Sequence, residues 1–159
     1  MKNLLMILMV VCVTQSALAD DEMVTLIDTM PSQFASEFNR LNQTEGKGRY
    51  SNIRLDNVDD ERVLNLAPNI TLVVSTYKEG IEYIDLICKK PKLTAERCVL
   101  AMPLIGKAIN PYFNTRAFYD LTQNIDAGVS TAYRQNGIEY HVIPDLKRKE
   151  LRMEIQAED

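Results

Sequence analysis

Two runs of β-branched and aromatic residues, Ile70–Tyr77 and Ile81–Cys88, follow each other in the chain and limit the choice of fold more than any other segment. The short polar stretch between them has the length of a tight turn, so the two runs predict antiparallel neighbours in a sheet. The second run is apolar at consecutive positions, which indicates a strand at the centre of that sheet.

Further elements are predicted before this pair of strands. Apolar residues Phe34, Phe38 and Leu41 share one helical face after Pro31, and the helix should end near Gln43. The period then changes to two, so Tyr50–Asp56 and Val63–Leu66 predict two short strands.

After the pair, the pattern returns to helices and then to strands. Thr94 is the expected N-cap of a helix that Pro103 should kink or split, and Thr115–Ile125 predicts a last helix. Three strands should follow, at Val129–Arg134, at Ile138–Ile143 and around Leu151, Met153 and Ile155, and Asn136-Gly137 favours a hairpin between the first two.

The order of these elements predicts the fold class. It reads helix, three or four strands, two helices and three strands, which is typical of an α+β domain. We expect a single antiparallel sheet of about 5–7 short strands with the helices packed on one face.

The first nineteen residues predict the compartment. Lys2, an apolar run from Leu4 to Val13 and the closing Ala17-Leu18-Ala19 are typical of a cleaved signal peptide. We therefore expect residues 1–19 to be a signal peptide, cleaved between Ala19 and Asp20, and 20–159 to be one exported domain in the periplasm or secreted. No later stretch approaches the ~20 apolar residues of a transmembrane helix, so the exported domain is not expected to be membrane-embedded.

The predicted compartment decides how the three cysteines of the chain are interpreted. Cys12 belongs to the signal peptide, which leaves Cys88 and Cys98. Cysteines ten positions apart in an oxidising compartment predict a disulfide, with two buried thiols as the alternative. A redox-active pair normally has the spacing C-x-x-C, which is absent here.

The charged and polar residues exclude several kinds of site. The chain has 18 basic and 22 acidic residues, and this mild acidic excess argues against nucleic acid and anionic membranes as main partners. One histidine, His141, cannot make a His-rich zinc site, and no serine lies in a G-x-S-x-G turn. We expect no catalytic residue, no metal and no cofactor, and hence a protein that is not an enzyme.

Three groups of residues are candidates for binding a partner. They are the basic turn beside the predicted disulfide, the hairpin turn and an exposed aromatic zone, represented by Lys89, Lys90, Lys92, Asn136, Tyr112 and Tyr119. Each group has a simpler interpretation, as a solvated turn or as part of the core. Lys147-Arg148-Lys149 forms a second basic segment with the same ambiguity.

The function that these features favour is binding to another protein, in the manner of an inhibitor or a toxin-immunity protein. A secreted effector or an envelope enzyme is the expected partner, and the sequence leaves a homodimer open. The alternatives are a carrier of a small apolar ligand, with an apolar pocket between sheet and helices, and a structural component of the envelope or of a secretion apparatus.

Overall fold

The computed structural model describes residues 26–57, 59–89, 91–123 and 125–158. The predicted signal peptide with its cleavage site, and Lys90, lie outside these residues. The elements, in chain order, are α1 (Pro31–Thr44), β1 (Asp60–Ala67), β2 (Ile70–Tyr77), β3 (Gly80–Lys89), α2 (Pro91–Ile109), α3 (Thr115–Thr122), a 3-10 turn (Ile125–Ala127), β4 (Thr131–Gln135), β5 (Ile138–Asp145) and β6 (Glu150–Ala157).

The six strands form one antiparallel sheet in the order β1-β2-β3-β6-β5-β4. With its three helices the chain has the predicted α+β character. Strand β3 lies inside the sheet between β2 and β6, which confirms that the second apolar run is central. Strand β6 pairs with β3, and the sequence alone did not predict which strand would be this second neighbour.

Three hairpins have turns of two residues, and in two of them both turn residues have positive φ. Lys78 and Glu79 join β2 to β3 with φ angles of 47° and 65°, and Asn136 and Gly137 join β4 to β5 with φ angles of 55° and 73°. Positive φ at both central positions matches the right-handed twist of the flanking strands, which confirms the predicted Asn-Gly hairpin.

The core lies on one face of the sheet. Alternate residues of β2 are buried, and the apolar stripe of α1 at Phe34, Phe38 and Leu41 is buried with them. These side chains belong to a single hydrophobic cluster that also takes in α2, α3 and the other core-facing strand residues. We call the other side of the sheet, whose side chains are mostly polar, the open face.

The strand expected at Tyr50–Asp56 is not formed. Ile53 and Leu55 are buried as their alternation suggests, but the segment forms no ladder with a strand. A single backbone hydrogen bond, from Ser51 N to Leu66 O at 2.7 Å, joins it to β1. The α1 side chain Asn39 satisfies the backbone instead, because its Nδ2 donates to Ile53 O at 2.8 Å and its Oδ1 accepts from Ile53 N at 2.8 Å. The period-two pattern of apolar residues therefore marks, in this segment, an extended chain that packs against a helix and not a strand.

Helix α2 differs from its prediction in two ways. It begins at Pro91 rather than after Thr94, since proline is well tolerated in a first helical turn. It also continues without a break through Pro103, so of the two expected outcomes, a kink or a split, the split is wrong. Met102, Leu104 and Ile105 around Pro103 are almost fully buried, and their burial outweighs the ~3 kcal/mol that an interior proline costs.

The last helix is shorter than predicted. Asn114 caps α3 by accepting from Ala117 N, the helix ends at Thr122, and a separate 3-10 turn covers Ile125. The predicted disulfide is confirmed between Cys88 and Cys98, both fully buried. It connects the end of the central strand β3 to α2.

Candidate functional site

Tyr112 and Asn136, predicted as separate candidates, lie together at one end of the sheet. Asn136 is in the turn between β4 and β5, and Tyr112 follows α2. Tyr112 is largely exposed to solvent, at 79 % of its surface. The end of β6 is also here, because Glu158 N donates to Gly137 O at 2.8 Å.

Side-chain amides hold these two residues in place. Gln135 Nε2 donates to Tyr112 O at 2.7 Å, and Tyr112 N donates to Asn110 Oδ1 at 3.0 Å. The same Asn110 oxygen accepts from Asn136 Nδ2 at 3.3 Å. We call these four residues, Asn110, Tyr112, Gln135 and Asn136, the Tyr112 surface.

An aromatic cluster supports the Tyr112 surface from below. The Phe113 ring lies 5.3 Å from Phe118 and 5.1 Å from Tyr140, measured between ring centroids. Tyr133 packs on Phe113 edge to face at 5.9 Å, and its hydroxyl donates to Gln135 Oε1 at 2.7 Å. The hydrogen-bonded amides thus rest on a packed layer with defined ring geometry, which limits the movement of the surface above it.

A cleft of ≈ 220 Å³ opens beside the Tyr112 surface. It lies between residues 26–29, 109–111 and 136–138, and Asp28, Thr29, Asn110 and Asn136 give it polar walls. Sites for small molecules usually enclose about 300–1,000 Å³. This cleft is nearer to the size of one protein side chain.

The remaining candidates lie elsewhere. Lys89 is exposed at the end of β3, where it faces Glu150 of β6 at the opposite end of the sheet from Asn136. Lys92 is in the first turn of α2. Tyr119 of α3 is half-buried near Lys107; burial raises the pKa of its hydroxyl, and the Lys107 charge opposes this shift.

The lone histidine belongs to a charged group on the open face. His141 Nε2 lies 2.9 Å from Glu139 Oε2, and Arg134 Nε donates to Glu139 Oε1 at 2.6 Å. The hydrogen bond from His141, and next the one from Arg134, lower the pKa of Glu139 to about 2. A carboxylate held ionised between two donors is suited to orienting them, and it is a poor proton acceptor near neutral pH.

A second charged group on the open face joins neighbouring strands. The Asp85 carboxylate, only 7 % exposed, accepts from Arg152 of β6, and Arg152 also contacts Glu154 at 3.0 Å. Sequence reasoning missed this pair and the Asn110 and Gln135 tethers. No local signal marks the Asp85–Arg152 pair or the bonds from Gln135 to Tyr112 and from Asn136 to Asn110, because each of these contacts joins residues far apart in the chain. The bond from Tyr112 N to Asn110 spans only two residues.

Within residues 26–57, 59–89, 91–123 and 125–158, no three potential metal ligands of the His, Cys, Asp and Glu types converge. In the same residues, no helix combines the length and the apolar character needed to cross a membrane. Comparison of the chain with protein-family models, with curated proteins and with solved structures found no match.

Proposed function

We propose that this chain is an exported, non-enzymatic protein that acts by binding another protein, as inhibitors and toxin-immunity proteins do. The expected partner is a secreted effector or an envelope enzyme, and contact is made through the Tyr112 surface. The compartment rests on the leader-like residues 1–19, and the mode of action rests on the end of the sheet around Tyr112.

The observation that carries the proposal is the exposure of Tyr112 on a structured support. A tyrosine side chain is large and has few rotatable bonds, so its burial against a partner contributes much area at low entropic cost. Tyrosine is also among the residues that dominate binding energy at protein interfaces. At 79 % exposure, Tyr112 has most of this area still available.

The hydrogen bonds around Tyr112 also favour binding, because the ordering of residues in an interface costs free energy. Asn110 and Gln135 fix the backbone on both sides of Tyr112, so little freedom remains to be lost on association. The adjacent cleft can receive one side chain of the partner. This cleft, in the part of the chain that the structure describes, gives a carrier function less support, since it is small for a ligand site.

The experiment combines export with capture. The full chain, with a C-terminal tag, is expressed in a Gram-negative host and recovered from the periplasm, where N-terminal sequencing should begin at Asp20. Recovery with an intact Met1 contradicts the export part of the proposal.

Partner binding is then tested with single variants of the exported protein. Tyr112→Ser should weaken capture of a specific partner by about 30-fold or more, the loss expected of an interface hot spot. Val63→Ser is the matched control, because Val63 is 62 % exposed on the edge strand β1 and lies outside the Tyr112 surface. Equal capture by wild type and Tyr112→Ser, or equal loss in both variants, contradicts the proposed site.

A further inference from the structure

The loop between β5 and β6 combines exposed cations with an exposed aliphatic side chain. Residues 146–149 are Leu146, Lys147, Arg148 and Lys149, and all four are exposed. Leu146 is 63 % exposed, and Val129, just before β4, is 49 % exposed. We call these five residues the basic apex; it lies at the end of the sheet opposite the Tyr112 surface.

Local contacts give the apex a defined shape. Asp145 Oδ1 accepts from Arg148 N at 2.9 Å, and Lys149 has a φ of 54°, so the loop turns sharply before β6. Leu146 lies over Gly128, because a Cβ atom added to that glycine would stand 2.8 Å from Leu146 Cδ1. Since Val129 is the next residue, the two exposed aliphatic side chains belong to one patch.

We propose that the basic apex binds the surface of an anionic lipid bilayer. Peripheral attachment requires cations that approach lipid headgroups together with apolar side chains that enter the boundary below them. The apex supplies both on a hairpin loop at an end of the sheet. This proposal does not depend on the Tyr112 surface or on the nature of its partner.

The distribution of charge favours a bilayer over an acidic protein. The chain as a whole carries a net charge of −4, yet three consecutive cations occupy this one loop. Arg148 also pairs with Asp145 at 3.6 Å, so Lys147 and Lys149 carry most of the argument. Such a molecule is repelled by an anionic surface except in the orientation that presents the apex. An acidic protein would use the cations but leave Leu146 and Val129 without a role, whereas a bilayer uses both.

The test is binding of the purified exported protein to vesicles. Wild type should cosediment with vesicles of phosphatidylcholine containing about 30 mol % phosphatidylglycerol and not with pure phosphatidylcholine. Raising the salt concentration from about 0.05 to about 0.5 M should release it. Lys147→Glu should weaken binding about tenfold, and Leu146→Ser about fivefold.

The matched control is Lys78→Glu, which makes the same charge change in the turn at the other end of the sheet. Its binding should stay within about twofold of wild type, and circular dichroism establishes that each variant is folded. Absence of binding at both lipid compositions, equal binding at both, or equal weakening by Lys147→Glu and Lys78→Glu overturns the proposal. Retention of an acidic protein through Lys147, with no vesicle binding, overturns it in favour of a protein partner.

Discussion

Glu139 on the open face is a residue whose titration the structure perturbs strongly. His141 and Arg134 both bond its carboxylate, which lowers its pKa from an ordinary 4.5 to about 2. The folded state therefore binds this proton more weakly than the unfolded state does. The stabilisation from Glu139 is complete above about pH 4.5 and is lost as the pH falls towards about 2.

We predict that Glu139→Gln flattens the acid limb of the stability profile. The free energy of unfolding of the wild type should fall more steeply between pH 4.5 and about 2 than that of the variant. Denaturant titrations at a series of pH values measure the difference. Glu96→Gln, at an exposed position of α2, serves as the control and should keep the wild-type slope. A wild-type slope in Glu139→Gln would contradict the assignment.

Arg152 contacts three carboxylates, of which Asp85 is buried and Glu154 is exposed, so these two offer an internal comparison. Asp85 is 7 % exposed and Glu154 is 39 % exposed. We predict that Asp85→Ala lowers the free energy of unfolding by about 2 kcal/mol, because a shielded charged hydrogen bond is lost. Glu154→Ala should cost less than about 1 kcal/mol, as exposed ion pairs do. Double-mutant cycles with Arg152→Ala give both coupling energies, and equal values would show that burial of Asp85 is energetically irrelevant.

At the scale of elements, the disulfide is the one covalent tie between the sheet and the helices in the described part of the chain. Cys88 is the penultimate residue of β3 and Cys98 lies in α2, ten positions further along the chain. We predict that Cys88→Ala/Cys98→Ala lowers the free energy of unfolding by about 3 kcal/mol, chiefly by freeing the unfolded chain. Reduction of the wild type should give a similar loss in urea titrations. An unchanged midpoint in both experiments would contradict this account.

The two hairpins whose turn residues both have positive φ provide the second prediction at this scale. Lys78 and Glu79 adopt the same positive φ region as Asn136 and Gly137, although long side chains disfavour it. Lys78→Asn/Glu79→Gly should therefore raise the free energy of unfolding by about 1 kcal/mol. Gly137→Ala is the opposite control and should lower it by about 1 kcal/mol. Thermal unfolding measures both, and a destabilised Asn-Gly variant would contradict the interpretation.

These elements also show which parts of the structure the sequence predicts. Asn136-Gly137 encodes its turn locally, and the β-branched and aromatic residues of Ile70–Tyr77 encode a strand, so both were predictable. The split at Pro103 was wrongly predicted, because packing on either side of the proline overrides its local cost. The Asp85–Arg152 pair and the bond from Asn136 to Asn110 depend on which strands and loops become neighbours. Neither could be inferred from one sequence without the topology.

At the scale of the whole molecule, the sheet separates two surfaces of different chemistry. The Tyr112 surface is neutral and aromatic, and it adjoins the turn where β5 begins. The basic apex follows directly where β5 ends. Strand β5 has eight residues, so about 25 Å of sheet lies between the two ends. Substitutions at such a distance, with no shared contacts, should act independently.

We therefore predict a double dissociation between the two ends. Tyr112→Ser should lose capture of a protein partner and keep wild-type affinity for anionic vesicles, whereas Lys147→Glu should lose vesicle binding and keep capture. The double variant should show the two losses together, each unchanged in size, because the sites share no residue. Capture assays and vesicle cosedimentation on the same four preparations measure this. A loss of both activities in either single variant would mean that partner and bilayer compete for one surface, or that the substitution propagates through the sheet. Melting temperatures of the four preparations distinguish these two causes, since only the second lowers them.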